Sequence, residues 1–125
     1  MLRVALFPLL LIVTMNDDKP LTPVEARKAV GKTITVQMTV KAAKDRLEKR
    51  GEIYLDSEEN FKDEKNFAVV INKDGAADLK KKCIDDPAAH FKDKVIIATG
   101  EVKEVDGIPR IEVSEAKQIK LASDK

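Results

Sequence analysis

Along Thr33–Val40 apolar and polar residues alternate without a break. Ile34, Val36, Met38 and Val40 fall on one side, with Thr33, Thr35, Gln37 and Thr39 on the other. A period of two places successive side chains on opposite faces of a strand, and β-branched threonine suits the half-exposed face. The same period recurs over Glu52–Asp56, where Ile53 and Leu55 face one way and Glu52, Tyr54 and Asp56 the other. Phe67–Ile71 is apolar on both faces and predicts a central strand. Val95–Val105 predicts a long fourth strand bent at Gly100. Asp106-Gly107 is a two-residue hairpin signal leading into a fifth strand, Ile108–Val113, with Ile111 and Val113 on the buried face. Ala116–Leu121 adds a short closing segment through Ile119 and Leu121.

Helical signals lie before and between these strands. Thr22-Pro23-Val24-Glu25 combines a capping box with proline at the first helical position, and Gly31 ends the predicted helix in a left-handed conformation. Asn72 to Gly75 reads as a turn. Ala76–Cys83 reads as a helix with Leu79, Cys83 and Ile84 on its apolar side, which makes Cys83 a small buried hydrophobe. Asp85-Asp86-Pro87 caps a single further turn ending near Phe91. Two charged connections remain. Lys41–Arg50 carries five basic residues against two acidic ones, a local +3, whereas Asp56–Lys65 carries five acidic against two basic, a local −3.

The order is therefore helix, three strands, helix, two strands. This predicts an all-β domain with short helices: a five-stranded OB-fold barrel with a helix between strands three and four and an N-terminal helix. The domain occupies residues 17–125. Residues 1–16 differ from all that follows, because Arg3 is their one charge and Val4–Val13 is an apolar run interrupted by Pro8. A positive start followed by about ten apolar residues predicts a signal peptide, hence an exported or periplasmic protein with no membrane span once the leader is removed. Met15 offers an alternative start, which would leave a cytoplasmic chain.

Composition narrows function by exclusion. The 125 residues hold 23 Lys+Arg against 22 Asp+Glu, a net charge of +1, with 36% charged and 43% hydrophobic residues. That balance excludes a strongly basic nucleic-acid binder of the histone kind and a disordered chain. One cysteine and one histidine, Cys83 and His90, exclude a disulfide framework, a multi-cysteine zinc site and a two-histidine metal motif. No Gly-rich phosphate loop or serine elbow appears. The expectation is a non-enzymatic protein without a cofactor or metal, with His90 on the surface and Asp86 serving as a cap.

The chain also resembles small bacterial OB-fold domains of the nucleic-acid-binding, tRNA-anticodon/helicase type. The likeness covers roughly residues 21–121. It rests on Thr22-Pro23-x-Glu25-Ala26, Val30–Val36, Ile53–Asp56, Phe67–Ile71, Thr99-Gly100-x-Val102, Gly107-x-Pro109-x-Ile111-x-Val113 and Lys117-Gln118-Ile119. The resemblance implies an oligonucleotide groove on the outer face of strands two and three, walled by the loops between strands one–two and four–five. Its candidate residues are Lys44, Arg46, Lys49 and Arg50 in the first loop, Lys103 and Arg110 beside the second, and Tyr54 as a stacking platform. Glu52 and Asp56 flank Tyr54 and repel phosphate, so the groove would hold single-stranded nucleic acid weakly. Two other readings stay open. The basic loop can serve as solvated charge with Tyr54 in cross-strand packing, or an exported barrel can bind protein, peptide or an oligosaccharide.

Overall fold

The computed structural model describes residues 19–123; the predicted signal peptide lies outside them. The Thr22 capping box forms as expected. The Thr22 hydroxyl accepts from the Glu25 amide at 3.2 Å, and Glu25 accepts from the Thr22 amide at 2.9 Å. Helix α1 (Pro23–Arg27) is shorter than expected, and Gly31 follows it with φ +90 at the entry to the first strand.

Strand β1 (Thr33–Thr39) pairs antiparallel with the first half of the long strand β5 (Val95–Val105). The second half of β5 pairs instead with β6 (Ile108–Val113) through the Asp106-Gly107 turn. Both turn residues have positive φ, as a type I′ hairpin requires. Gly100 lies next to this change of partner. A Cβ there would meet the Ile111 side chain at 2.7 Å, so glycine permits the crossing.

The segment Lys41–Arg50 is not the loop that its charge suggested. Ala42–Arg46 forms strand β2, and Leu47–Arg50 forms a single helical turn, α2, ended by Gly51 at φ +73. Strand β2 pairs with β3 (Glu52–Asp56), placing Lys44 opposite Tyr54 and Arg46 opposite Glu52. A charged strand at a sheet edge lacks an apolar period because none of its residues is fully buried. Strand β4 (Ala68–Asn72) is central as expected, antiparallel to β3 and parallel to β6.

The sheet has seven strands in the order β1-β5-β6-β4-β3-β2, with a short β7 (Ile119–Leu121) paired to β5. This corrects the expected closed barrel of five strands. The hydrogen-bonded path is open, and its two ends, β1 and β2, are successive in the chain. At their junction Val40 bonds backward to Lys94, while Lys41 bonds forward to Asp56. The two additional strands are the charged edge β2, which the hydrophobic period leaves unmarked, and the three-residue β7, which falls within the closing segment expected over Ala116–Leu121.

Helix α3 (Lys73–Lys81) starts earlier than expected because Asn72 caps it, accepting from the Gly75 amide at 2.8 Å. Gly75 packs so closely on β6 that a Cβ would overlap the Val113 carbonyl oxygen. Cys83 corrects another expectation, being exposed rather than buried. It lies past the helix end with φ 69, where its amide bonds Lys80 and the Ile84 amide bonds Leu79. That is a Schellman ending with cysteine at the position glycine usually takes. Helix α4 (Pro87–Phe91) is capped by Asp86. The core runs between the inner sheet face and these helices, with Val36, Ile53, Leu55, Ile71, Leu79, Phe91, Ile96 and Ile111 out of water.

Candidate functional site

Alternation along β3 sends Ile53 and Leu55 into the core and turns Glu52, Tyr54 and Asp56 to the opposite face. On that face Lys44 and Arg46 of β2 stand across from Tyr54 and Glu52, and Arg110 of β6 stands in register with Ala68 of β4. The result is a groove of about 730 Å³. Lys44, Arg46, Arg50, Glu52, Tyr54, Asp56, Phe61, Lys62 and Arg110 line it, together with Val105, Asp106 and Ile108 from the β5–β6 hairpin. Five of the seven residues singled out in the sequence thus meet in one groove. Lys103 does not line it, although the ladder places it opposite Arg110. Lys49 likewise lies outside the lining.

The groove is cationic overall, with five basic side chains against three carboxylates. One of the five is already engaged. Arg110 Nη2 lies 3.3 Å from Glu52 Oε2, with both side chains largely covered. The Tyr54 hydroxyl donates to the other oxygen of Glu52 at 2.5 Å. Glu52 therefore fixes the Tyr54 ring and the Arg110 guanidinium on the groove floor while cancelling one positive charge. Arg46 makes no ion pair within 4.0 Å among the described residues, and neither do Arg50, Lys44 and Lys62.

Phe61 and Lys62 come from the segment read as an acidic connection. Phe61 is 39% exposed. The Lys44 ammonium lies 4.7 Å from its ring centroid and the Lys62 ammonium 5.8 Å. Such cation–π contacts contribute about 0.5–1 kcal/mol at exposed sites. The available signal in the sequence was one aromatic isolated among charges, without an apolar period to explain it.

Asn66 holds this segment in place. It has no exposed surface. Its amide nitrogen donates to Asp56 Oδ1 at 3.1 Å and to the Phe61 carbonyl at 3.4 Å. Its amide oxygen accepts from the Glu58 amide at 3.0 Å and from the Ser57 hydroxyl at 3.4 Å. Arg27 of α1 donates to the Asn66 carbonyl, joining the N-terminal helix to the same loop. Asp56 is only 3% exposed. Burial raises the pKa of its carboxyl above the ordinary value, with the Asn66 hydrogen bond and the nearby Lys44 charge acting in the opposite direction.

No protein-family model matches the chain. Comparison with curated proteins likewise finds no match. Solved structures do resemble it. Asparaginyl-tRNA synthetase from Pyrococcus horikoshii superposes with a TM-score of 0.57 at 14% identity over 83% of this chain, which spans 23% of that protein. Aspartyl tRNA synthetase from Entamoeba histolytica gives 0.51 at 17% identity over 82% of this chain and 21% of its own. The OBody AM1L10, solved bound to hen egg-white lysozyme, gives 0.58 at 16% identity, over 89% of this chain and all of the OBody. The chain thus spans less than a quarter of the synthetases it resembles. At such identities the likeness establishes the fold alone, a mostly β arrangement of the OB type.

Proposed function

We propose that this chain is a small, non-enzymatic OB-fold module that binds single-stranded nucleic acid weakly along the groove. The observation that carries the reading is the convergence of four unpaired cations, Lys44, Arg46, Arg50 and Lys62, around the Tyr54 and Phe61 rings. Cations attract the phosphates of a single strand, and aromatic faces stack its bases at about 1–3 kcal/mol each. The structural likeness to two tRNA synthetases supports the same reading. Glu52 keeps the binding weak, because it neutralises Arg110 and occupies the Tyr54 hydroxyl.

Fluorescence polarisation with labelled single-stranded oligonucleotides at low salt tests it. Four phosphate contacts predict that log K falls with log salt at a slope of about −3. Replacing Arg46 and Arg50 by glutamine makes that slope shallower by about 1.4, while Lys103→Gln leaves it unchanged. No binding at high micromolar protein, or retention of a peptide or oligosaccharide instead, overturns the reading. We further propose export directed by residues 1–16. Mass spectrometry of the native N-terminus checks this, and a cytoplasmic chain beginning at Met15 would contradict it.

A further inference from the structure

One end of the groove holds a group that phosphate binding does not use. Asp56 is a carboxylate on the groove face of β3, almost wholly out of water, in a site otherwise suited to anions. Its Oδ1 accepts from the Asn66 amide, and among the described residues no protein donor reaches Oδ2. A buried acceptor left without a donor is costly and calls for a partner. The same Asn66 nitrogen also holds the Phe61 carbonyl, so one amide ties the backbone that carries the aromatic ring to the carboxylate. Lys44 acts on both, with its ammonium over the Phe61 ring and its charge felt by Asp56.

An aromatic face beside a buried acceptor is the chemistry that recognises a base. The ring takes the face of the base without regard to sequence, and the carboxylate accepts from a donor on its edge. We propose that Asp56 is a specificity-determining residue of the groove. It accepts a hydrogen bond from the exocyclic amino group of a base stacked on Phe61, so that cytosine is preferred over uracil. This rests on the nucleic-acid reading of the groove. Uracil presents a carbonyl oxygen where cytosine presents its amino group. Facing Asp56, that oxygen brings two acceptors together, leaving both unsatisfied and mutually repelled. Phosphates are spared most of the repulsion because the carboxylate is recessed below the surface and accompanied by Lys44.

The test is a competition between oligodeoxycytidine and oligodeoxyuridine of equal length, read by fluorescence polarisation near neutral pH. These bases have rings of the same size and differ along the edge that Asp56 would read. The wild-type chain is expected to prefer cytidine by about tenfold, the value of one hydrogen bond to a charged group. Asp56→Asn keeps an oxygen for the Asn66 amide and replaces Oδ2 by an amino donor, so the preference inverts toward uridine. Phe61→Leu weakens both oligonucleotides and leaves a clear preference for cytidine, because stacking carries little sequence information. Circular dichroism confirms that each variant is folded. Equal binding of both oligonucleotides by the wild-type chain, or an Asp56→Asn variant that still prefers cytidine, overturns the role of Asp56 while leaving a nucleic-acid groove in place. Failure of both oligonucleotides to bind removes the groove and this inference together.

Discussion

The Asn66 amide nitrogen donates to the Asp56 carboxylate at 3.1 Å, joining two groups ten residues apart beneath the groove. Around that bond the Phe61 carbonyl, the Glu58 amide and the Ser57 hydroxyl are all satisfied by the same side chain. The loop carrying Phe61 is therefore shaped by one buried amide rather than by an apolar cluster of its own.

Asn66→Ala removes four hydrogen bonds at once and leaves buried polar groups without partners. The loss is expected to be about 2–4 kcal/mol, since each orphaned group costs about 1–3 kcal/mol and the loop relaxes in part. Urea unfolding measures the loss. Hydrogen exchange of residues 58–66 should quicken more than that of β1, and an equal change in both would show that the hub does not organise the loop.

Burial raises the folded-state pKa of Asp56 above the unfolded value near 3.8. As pH falls, the folded chain takes up this proton before the unfolded chain does. The group's contribution to stability therefore improves between the raised value and 3.8, and the cost of the buried charge is present in full above that window. Asp56→Asn should accordingly have a higher Tm than the wild-type chain near pH 7. The difference should shrink on acidification and vanish below the unfolded pKa. Thermal unfolding of both proteins across this range checks the sign, and comparing the two removes the shared effect of the other carboxylates.

Helix α3 rests on β6 at Gly75, where a Cβ would overlap the Val113 carbonyl oxygen. Alanine is the better helix former by roughly 1 kcal/mol, so propensity alone predicts that Gly75→Ala stabilises. Steric overlap with backbone predicts the reverse, because neither element can yield without repacking the core. The expected result is a loss of about 1–3 kcal/mol in chemical denaturation.

Cys83 occupies a left-handed position with φ 69 at the end of α3, and its side chain is exposed. Glycine adopts that conformation without the Cβ strain, at the cost of a more flexible unfolded chain. Cys83→Gly is expected to stabilise by about 0.5–1 kcal/mol, seen as a shift of the urea midpoint at unchanged m-value. Cys83→Val, whose β-branched side chain fits this conformation worst, should destabilise.

The features legible in the sequence are those whose causes are local. The Thr22–Glu25 capping box spans three residues, the alternation of β1 is a period of two, and Asp106-Gly107 meets the positive φ that its hairpin requires. Together with the apolar run of β4, they give the order of elements from which the OB plan follows. They also bring Tyr54 and Arg110 to one sheet face, because alternation assigns faces wherever a strand is recognised.

Tertiary structure alone decided the rest. Residues 42–46 become a strand because β3 supplies hydrogen-bond partners, while their own side chains are too charged to show a period. Asp56 looks like a solvated residue of an alternating strand, yet Asn66 and the loop above it take it out of water. Phe61 reaches the groove across an acidic segment for the same reason. Local pattern determined which faces the strands present. Contacts between residues distant in the chain determined which polar groups on those faces are buried and held in place, and that is where the chemistry of the groove resides.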